Sequence, residues 1–222
     1  EHSLTITAGT VTVDATSRID VSGRGYVTGR TKDNATWYAQ SAGGSYGGYG
    51  GIISFWSGSR CEVSGDCRDP NELGSGGAAN YDGGSGGGLV RLSCTSLVLD
   101  GQILANGQNY QYASHSSGGS GGGIRVNVDT LSGGGSIAAN GGAGYYPSSS
   151  YYGCGGGGGR IAIYYDSSSL AWSGVTATGG TGYANGGAGT IYIKTNDATP
   201  GLLKFDNAGS TQQYVMPVWF GR

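Results

Sequence analysis

The chain has 222 residues, 49 of them glycine, about 22% against an ordinary share of about 7%. Twelve basic and fourteen acidic residues leave a formal charge of −2, and only 12% of residues are charged. That balance gives no basic footprint for nucleic acid, and 16 Tyr, 4 Trp and 3 Phe argue against charge-driven disorder. Collagen is excluded by the missing Gly-X-Y period and by having only four prolines. A helical protein is excluded because each interior glycine costs about 1 kcal/mol of helix relative to Ala. No run approaches the roughly 18 apolar residues of a membrane span, so no membrane insertion is expected.

From the start of the chain, Leu4-Thr-Ile-Thr and Thr10-Val-Thr-Val alternate with the period of two expected of strands. The first residue is Glu1 rather than Met, which reads as a mature or excised chain. Two markers then recur. Short β-type runs are launched from glycine at Gly51-Ile-Ile-Ser-Phe, Gly88-Leu-Val-Arg-Leu, Gly123-Ile-Arg-Val-Asn-Val, Gly159-Arg-Ile-Ala-Ile-Tyr-Tyr and Gly189-Thr-Ile-Tyr-Ile-Lys, spaced 37, 35, 36 and 30 residues apart. Out of phase with them, an apolar residue and small residues lead to glycine at Ile19-Asp-Val-Ser-Gly23, Cys61-Glu-Val-Ser-Gly65, Ile103-Leu-Ala-Asn-Gly107, Ile137-Ala-Ala-Asn-Gly141 and Val175-Thr-Ala-Thr-Gly179. Both markers count about five units, and periods of 20 to 50 residues signal a solenoid or array.

Within a unit the launched strand precedes a second short strand, such as Ser96-Leu-Val-Leu or Ser169-Leu-Ala-Trp. The small-residue strand and a Tyr/Ser/Gly loop follow, closing in a glycine run: Gly83 to Gly88, Gly118 to Gly123 and Gly155 to Gly159. A repeated run that packs no side chain must use the missing Cβ, letting extended backbones lie nearly in contact. The expected fold is therefore all-β: an irregular parallel β-solenoid of about five coils with ordered polyglycine segments on one side and essentially no α-helix. A single domain is expected over 1–222, with segments 1–14 and 210–222 as caps or intersubunit strands. Asn106 and Asn140, with Ser22, Ser64 and Thr178, are expected to form a stacked polar ladder.

Little catalytic chemistry is on offer. His2 is terminal, His115 lies in a Ser-rich loop, and there is no Gly-x-Ser-x-Gly elbow. The acidic cluster Glu62, Asp66, Asp69 and Glu72 is interleaved with Arg60 and Arg68, which reads as a solvated loop rather than a polysaccharide-cleaving site. Calcium-roll nonapeptides and zinc spacings are absent, so no cofactor or metal is expected. Four cysteines allow three pairings; Cys61 with Cys67 as a local clasp, and Cys94 with Cys154 as a staple between coils, are the pairs expected of a secreted chain. Asn34-Ala35-Thr36 is an N-glycosylation sequon. The loop tyrosines Tyr46, Tyr49, Tyr110, Tyr112, Tyr145, Tyr146, Tyr151, Tyr152 and Tyr183 are expected to line one edge, with Tyr110, Tyr112, Tyr145, Tyr146, Tyr151 and Tyr152 offering glycan or lateral contacts.

The passage from Gly83 through Arg160-Ile-Ala-Ile-Tyr-Tyr to Gly189-Thr-Ile-Tyr-Ile resembles the glycine-rich repeat regions of large secreted and surface proteins. It is similar in style to the polyglycine bundles of phage tail adhesins and to the glycine-rich extracellular domain of some receptor tyrosine kinases. The resemblance implies an extracellular β-rich scaffold with no catalytic residue.

Solenoid ends are open edges that need a cap or a partner. The expected function is thus a non-enzymatic extracellular subunit of a fibre or surface layer, polymerising with itself end to end. Leu4, Ile6, Val11 and Val13 at one end would meet Val215, Met216, Val218, Trp219 and Phe220 at the other. The alternatives are a glycan-binding adhesin using the loop tyrosines, a polysaccharide-cleaving enzyme, or an ice binder, which needs a flat regular array of Thr or small residues that Thr176, Thr178 and Thr181 supply poorly.

Overall fold

The computed structural model describes residues 2–37, 39, 41–53, 59–78, 82–110, 115–147, 152–198 and 200–210. Among them the fold is mostly β without α-helix; two 3-10 turns occur, at Lys32–Asn34 and Trp172–Gly174. The strands are β1 (Ser3–Val13), β2 (Arg18–Asp20), β3 (Arg30–Thr31), β4 (Ala35–Thr36), β5 (Leu89–Leu99), β6 (Gln102–Leu104) and β7 (Gly123–Ser132). They continue with β8 (Ser136–Ala138), β9 (Arg160–Tyr165), β10 (Ser167–Ser168), β11 (Val175–Thr176), β12 (Thr190–Thr195) and β13 (Leu202–Lys204).

The main sheet runs β1-β5-β7-β9-β12-β13, with β10 beside β7, and is parallel except for the β12–β13 pair. A second sheet of short parallel strands runs β11-β8-β6-β2. Equivalent residues stack in register. Leu4, Val90, Ile124, Ile161 and Ile191 form one column, and Ile6, Leu92, Val126, Ile163 and Ile193 the next. On the second sheet Ile19, Ile103, Ile137 and Val175 align. Apart from Leu4, which is exposed at the end of its column, these residues form one continuous apolar core, in which Val90, Leu97, Leu99, Ile103, Ile124, Leu131, Ile137, Ile161 and Ile163 are wholly buried.

The long strands do not keep a simple period of two. The residues that β5 gives to the core are Val90 and Leu92, then Leu97 and Leu99, and those of β7 are Ile124, Val126 and Val128, then Leu131. A step that breaks the period brings residues from both halves of the strand onto the same core, as a strand bending round that core requires. The same steps occur on β1, from Leu4 and Ile6 to Val11 and Val13.

One expected unit is displaced. β1 pairs directly with β5, so residues between β2 and β5 are looped out of the ladder. Within that insertion Ile52 makes only an isolated antiparallel bridge to Ala42, and Cys61 to Gly65 forms no strand. Within segment 1–14, β1 supplies a terminal strand of the main sheet without a launching glycine. Ser169 to Trp172 is also not a strand; it joins β10, which ends at Ser168, to the 3-10 turn that begins at Trp172. Segment 211–222 lies outside the described residues.

The glycine runs are hydrogen-bonded to one another. Backbone N–H groups of Gly118 and Gly121 donate to Cys154 and Gly157, those of Gly119 and Gly122 to Gln108 and Ala105, and those of Ser120 and Gly123 to Ser75 and Gly88. The direction of bonding repeats every third residue. The next run behaves likewise: Gly156 and Gly159 donate to Gly142 and Ala139, Gly157 to Gly44, and Gly158 to Gly187. Segments of the looped-out insertion, around Gly44 and Ser75, thus join the stack through its glycines. Backbones lie so close that a Cβ on Gly121 would fall 2.0 Å from the Ala139 carbonyl oxygen, and one on Gly158 2.0 Å from that of Ala177.

A polar ladder crosses the second sheet's outlet. The Asn106 N–H donates to Ser22 Oγ at 3.1 Å, Asn140 N–H to Asn106 Oδ1 at 2.8 Å, and Thr178 N–H to Asn140 Oδ1 at 2.9 Å. Ser64, expected in this ladder, lies in the insertion, where its N–H donates to the Tyr46 carbonyl.

Neither expected disulfide is formed: all four cysteines are free thiols. Cys94 sits on β5 in register with Ala8 and Val128, whereas Cys154 lies in a glycine run beside Ile53 and Ala184. Stacking therefore gives Cys94 aliphatic neighbours from adjacent strands and places Cys154 in a different layer. Cys61 packs with Trp37, Ala39, Ala42 and Ala78, separately from Cys67.

Candidate assembly and binding surfaces

Two surfaces stand out, the outer edge of β1 and the edge formed by the long loops. β1 is eleven residues long and, among the described residues, pairs on one side only, with β5. The Leu89 N–H donates to the His2 carbonyl. The alternation of a parallel ladder then leaves the N–H groups of Ser3, Thr5 and Thr7 directed away from β5. Of the expected assembly residues here, Leu4 is 37% exposed, Ile6 and Val11 are half-buried, and Val13 is buried.

The opposite end is partly covered. β13 turns back antiparallel along Ile191–Ile193, half of β12. Beside it Tyr165, Trp172, Ile193, Pro200 and Leu202 line an apolar groove of about 290 Å³, with Lys194 and Lys204 among its walls. Leu202 is 61% exposed and Phe205 is also exposed. The other expected assembly residues, Val215, Met216, Val218, Trp219 and Phe220, lie outside the described residues.

On the loop edge, four aromatic rings form a row. His115 stacks on Tyr152 with centroids 5.5 Å apart, Tyr152 meets Tyr183 edge-on at 5.0 Å, and Tyr183 meets Tyr146 edge-on at 5.4 Å. Backbone bonds within and between successive loops fix the row: Tyr145 N–H donates to Ser116 C=O, Gly153 N–H to Tyr145 C=O in the same loop, and Tyr183 N–H to Gly153 C=O. The Tyr152 N–H also reaches His115 Nδ1 at 3.3 Å. His115, which reads from sequence as a solvated loop residue, is half-buried, and burial lowers its pKa. Its membership of the row follows from loop packing and carries no sequence signal.

Not every expected tyrosine joins this edge. Tyr46 is fully buried, its hydroxyl pKa pushed up by burial despite the nearby Arg160 guanidinium, which lies 5.5 Å from its ring. Tyr49 donates to Glu62 and Tyr110 to Asp82. Tyr112 and Tyr151 lie outside the described residues. Asn34 sits on an exposed turn between β3 and β4, with φ of 55°.

The acidic cluster is dispersed among separate partners. Asp66 pairs with Arg68 at 3.2 Å, Glu72 with Lys32 at 3.5 Å, and Asp69 bridges Arg91 and Arg125. Arg91 and Arg125 are neighbours on β5 and β7, so Asp69 fastens the insertion to the outer face of the main sheet. Tyr164, under Arg125 at 5.3 Å, donates to the Arg68 carbonyl in the same region. Buried Arg160 adds a second fastening, donating to the Ser64 carbonyl and to Thr190 Oγ1. Among the described residues no group of three or more His, Cys, Asp or Glu could hold a metal ion, and no helix is long and apolar enough to cross a membrane.

No family model, curated protein or solved structure matches the chain.

Proposed function

We propose that the chain is a non-catalytic extracellular scaffold subunit, an irregular parallel β-solenoid zipped along one side to a polyglycine bundle, which joins further copies end to end. The three-residue bonding period supports the bundle, since polyglycine chains of the polyproline-II type have three residues per turn. The in-register apolar columns support the solenoid. The dispersed ion pairs of the acidic cluster favour a structural role for it over a catalytic one. Low charge, abundant tyrosine and the exposed Asn34 sequon support an extracellular setting; the free cysteines do not contribute to it.

One observation carries the functional reading: among the described residues β1 offers eleven residues of edge without a pairing strand, above half-covered apolar side chains, while the far end exposes Leu202, Phe205 and an apolar groove. Unlike surfaces at opposite ends give a heterologous contact, which propagates instead of closing. Sedimentation velocity across a concentration series tests it, comparing the full chain with Thr5→Pro, which removes an outward donor of β1 and leaves the bonds to β5. Wild-type chain should form a growing series of oligomers and Thr5→Pro should remain small. A species that stops at the dimer would replace propagation by pairing of two β1 edges; a persistent monomer would end the assembly reading.

A further inference from the structure

Three successive connections, 105–122 between β6 and β7, 139–159 between β8 and β9, and 177–189 between β11 and β12, contain no Asp, Glu, Lys or Arg. All three contribute to the aromatic row: His115 from the first, Tyr146 and Tyr152 from the second, Tyr183 from the third. Tyr146 is 44% and Tyr183 40% exposed, the two most outward rings of the row. Some other rings of the described surface sit beside ionic groups: Tyr49 beside Glu62 and Arg60, Tyr164 beside Arg125, and Tyr110, at the far side of the first connection, beside Asp82. The row is thus a platform of ring surface on loops that carry no charged side chain of their own, held by backbone hydrogen bonds.

We propose that this platform binds a neutral polysaccharide. Sugar C–H faces stack on aromatic rings, and sugar hydroxyls need neutral donors and acceptors at the border, which Tyr hydroxyls and the Asn185 side chain, already hydrogen-bonded to Gly182 N–H, supply. An uncharged platform matches an uncharged glycan and offers nothing to a sulfated or uronic-acid polymer, whose sulfates or carboxylates would lose hydration without gaining a cation. The site lies on the loop edge and does not involve β1, so binding is independent of end-to-end assembly.

The test uses the full chain in the Thr5→Pro form, so that failure to assemble and failure to bind remain distinct. Retention is measured on microcrystalline cellulose and on a soluble neutral β-glucan, with polygalacturonate as the anionic control. The parent chain should be retained on a neutral probe. Replacing both exposed rings, Tyr146→Ser with Tyr183→Ser, should weaken retention by about tenfold, the effect of losing roughly 1.4 kcal/mol of ring contact. Tyr146→Phe with Tyr183→Phe keeps the ring faces and should retain most of the binding, which controls for any loss of fold in the serine pair. No retention on either neutral probe, retention unchanged by the serine pair in a folded chain, or retention on polygalacturonate alone would overturn the proposal.

Discussion

At Gly121 a methyl group would stand 2.0 Å from a backbone carbonyl oxygen, a distance that no side-chain rearrangement relieves. Gly121→Ala or Gly158→Ala should therefore destabilise the chain by about 3 kcal/mol or more, at the upper end of overpacking costs, lowering the Tm by roughly 6–12 °C. Gly134, with nothing within 4 Å of its virtual Cβ, should accept Ala with little change. Thermal unfolding followed by circular dichroism distinguishes the two classes; equal tolerance at all three sites would mean the glycines are not in contact. Asn140 tests the polar ladder: Asn140→Ala leaves the Thr178 N–H without its acceptor and should cost about 1–3 kcal/mol. Cys154 is fully buried, and burial raises its thiol pKa to about 11. It should resist alkylation at pH 8 until the chain unfolds, with half-buried Cys94 reacting first. Peptide mapping without reductant should recover all four cysteines unpaired.

At the scale of elements, the insertion is held to the main sheet by Asp69 between Arg91 and Arg125. Burial raises the Asp69 pKa, but hydrogen bonds from Arg125 and Arg91 and their charges outweigh it and leave the carboxyl below its usual value. A depressed carboxyl contributes stability that is complete above the unfolded pKa, near 3.9, and is lost as pH falls through the folded value. Asp69→Asn should thus lower stability at pH 7 modestly and flatten the acid limb of the stability profile below about pH 4; an unchanged acid limb would remove this fastening from the account. The strands from Gly88, Gly123, Gly159 and Gly189 were legible in the sequence, because alternating β-branched residues after glycine report both the element and its buried face. The columns of Ile103, Ile137 and Val175 and the asparagine ladder were legible for the same reason. The Gly51 unit was not, since the same local pattern serves an insertion that bonds to the glycine runs rather than to the sheet. The expected cysteine bridges failed because stacking order does not say which layer a residue occupies. The loop tyrosines were legible as a class, yet Tyr46 is core and His115 joins the row, distinctions set by which loops touch.

For the whole molecule, two unlike ends govern behaviour. Among the described residues, one presents the β1 edge without a pairing strand, with Leu4, Ile6 and Val11 incompletely covered; the other presents Leu202, Phe205 and the groove beside Trp172. Covering such apolar surface is worth roughly 25 cal/mol per Å² before the costs of association, and a neighbouring strand would also satisfy the outward N–H groups of β1. The main path from β1 to β13 holds six strands, so at about 4.8 Å per strand each copy would advance the ladder by about 29 Å. Electron microscopy of the concentrated full chain tests this most directly. Unbranched filaments with an axial repeat of about 29 Å, absent from Thr5→Pro, are the predicted result; dispersed single particles of both chains at every concentration would contradict it.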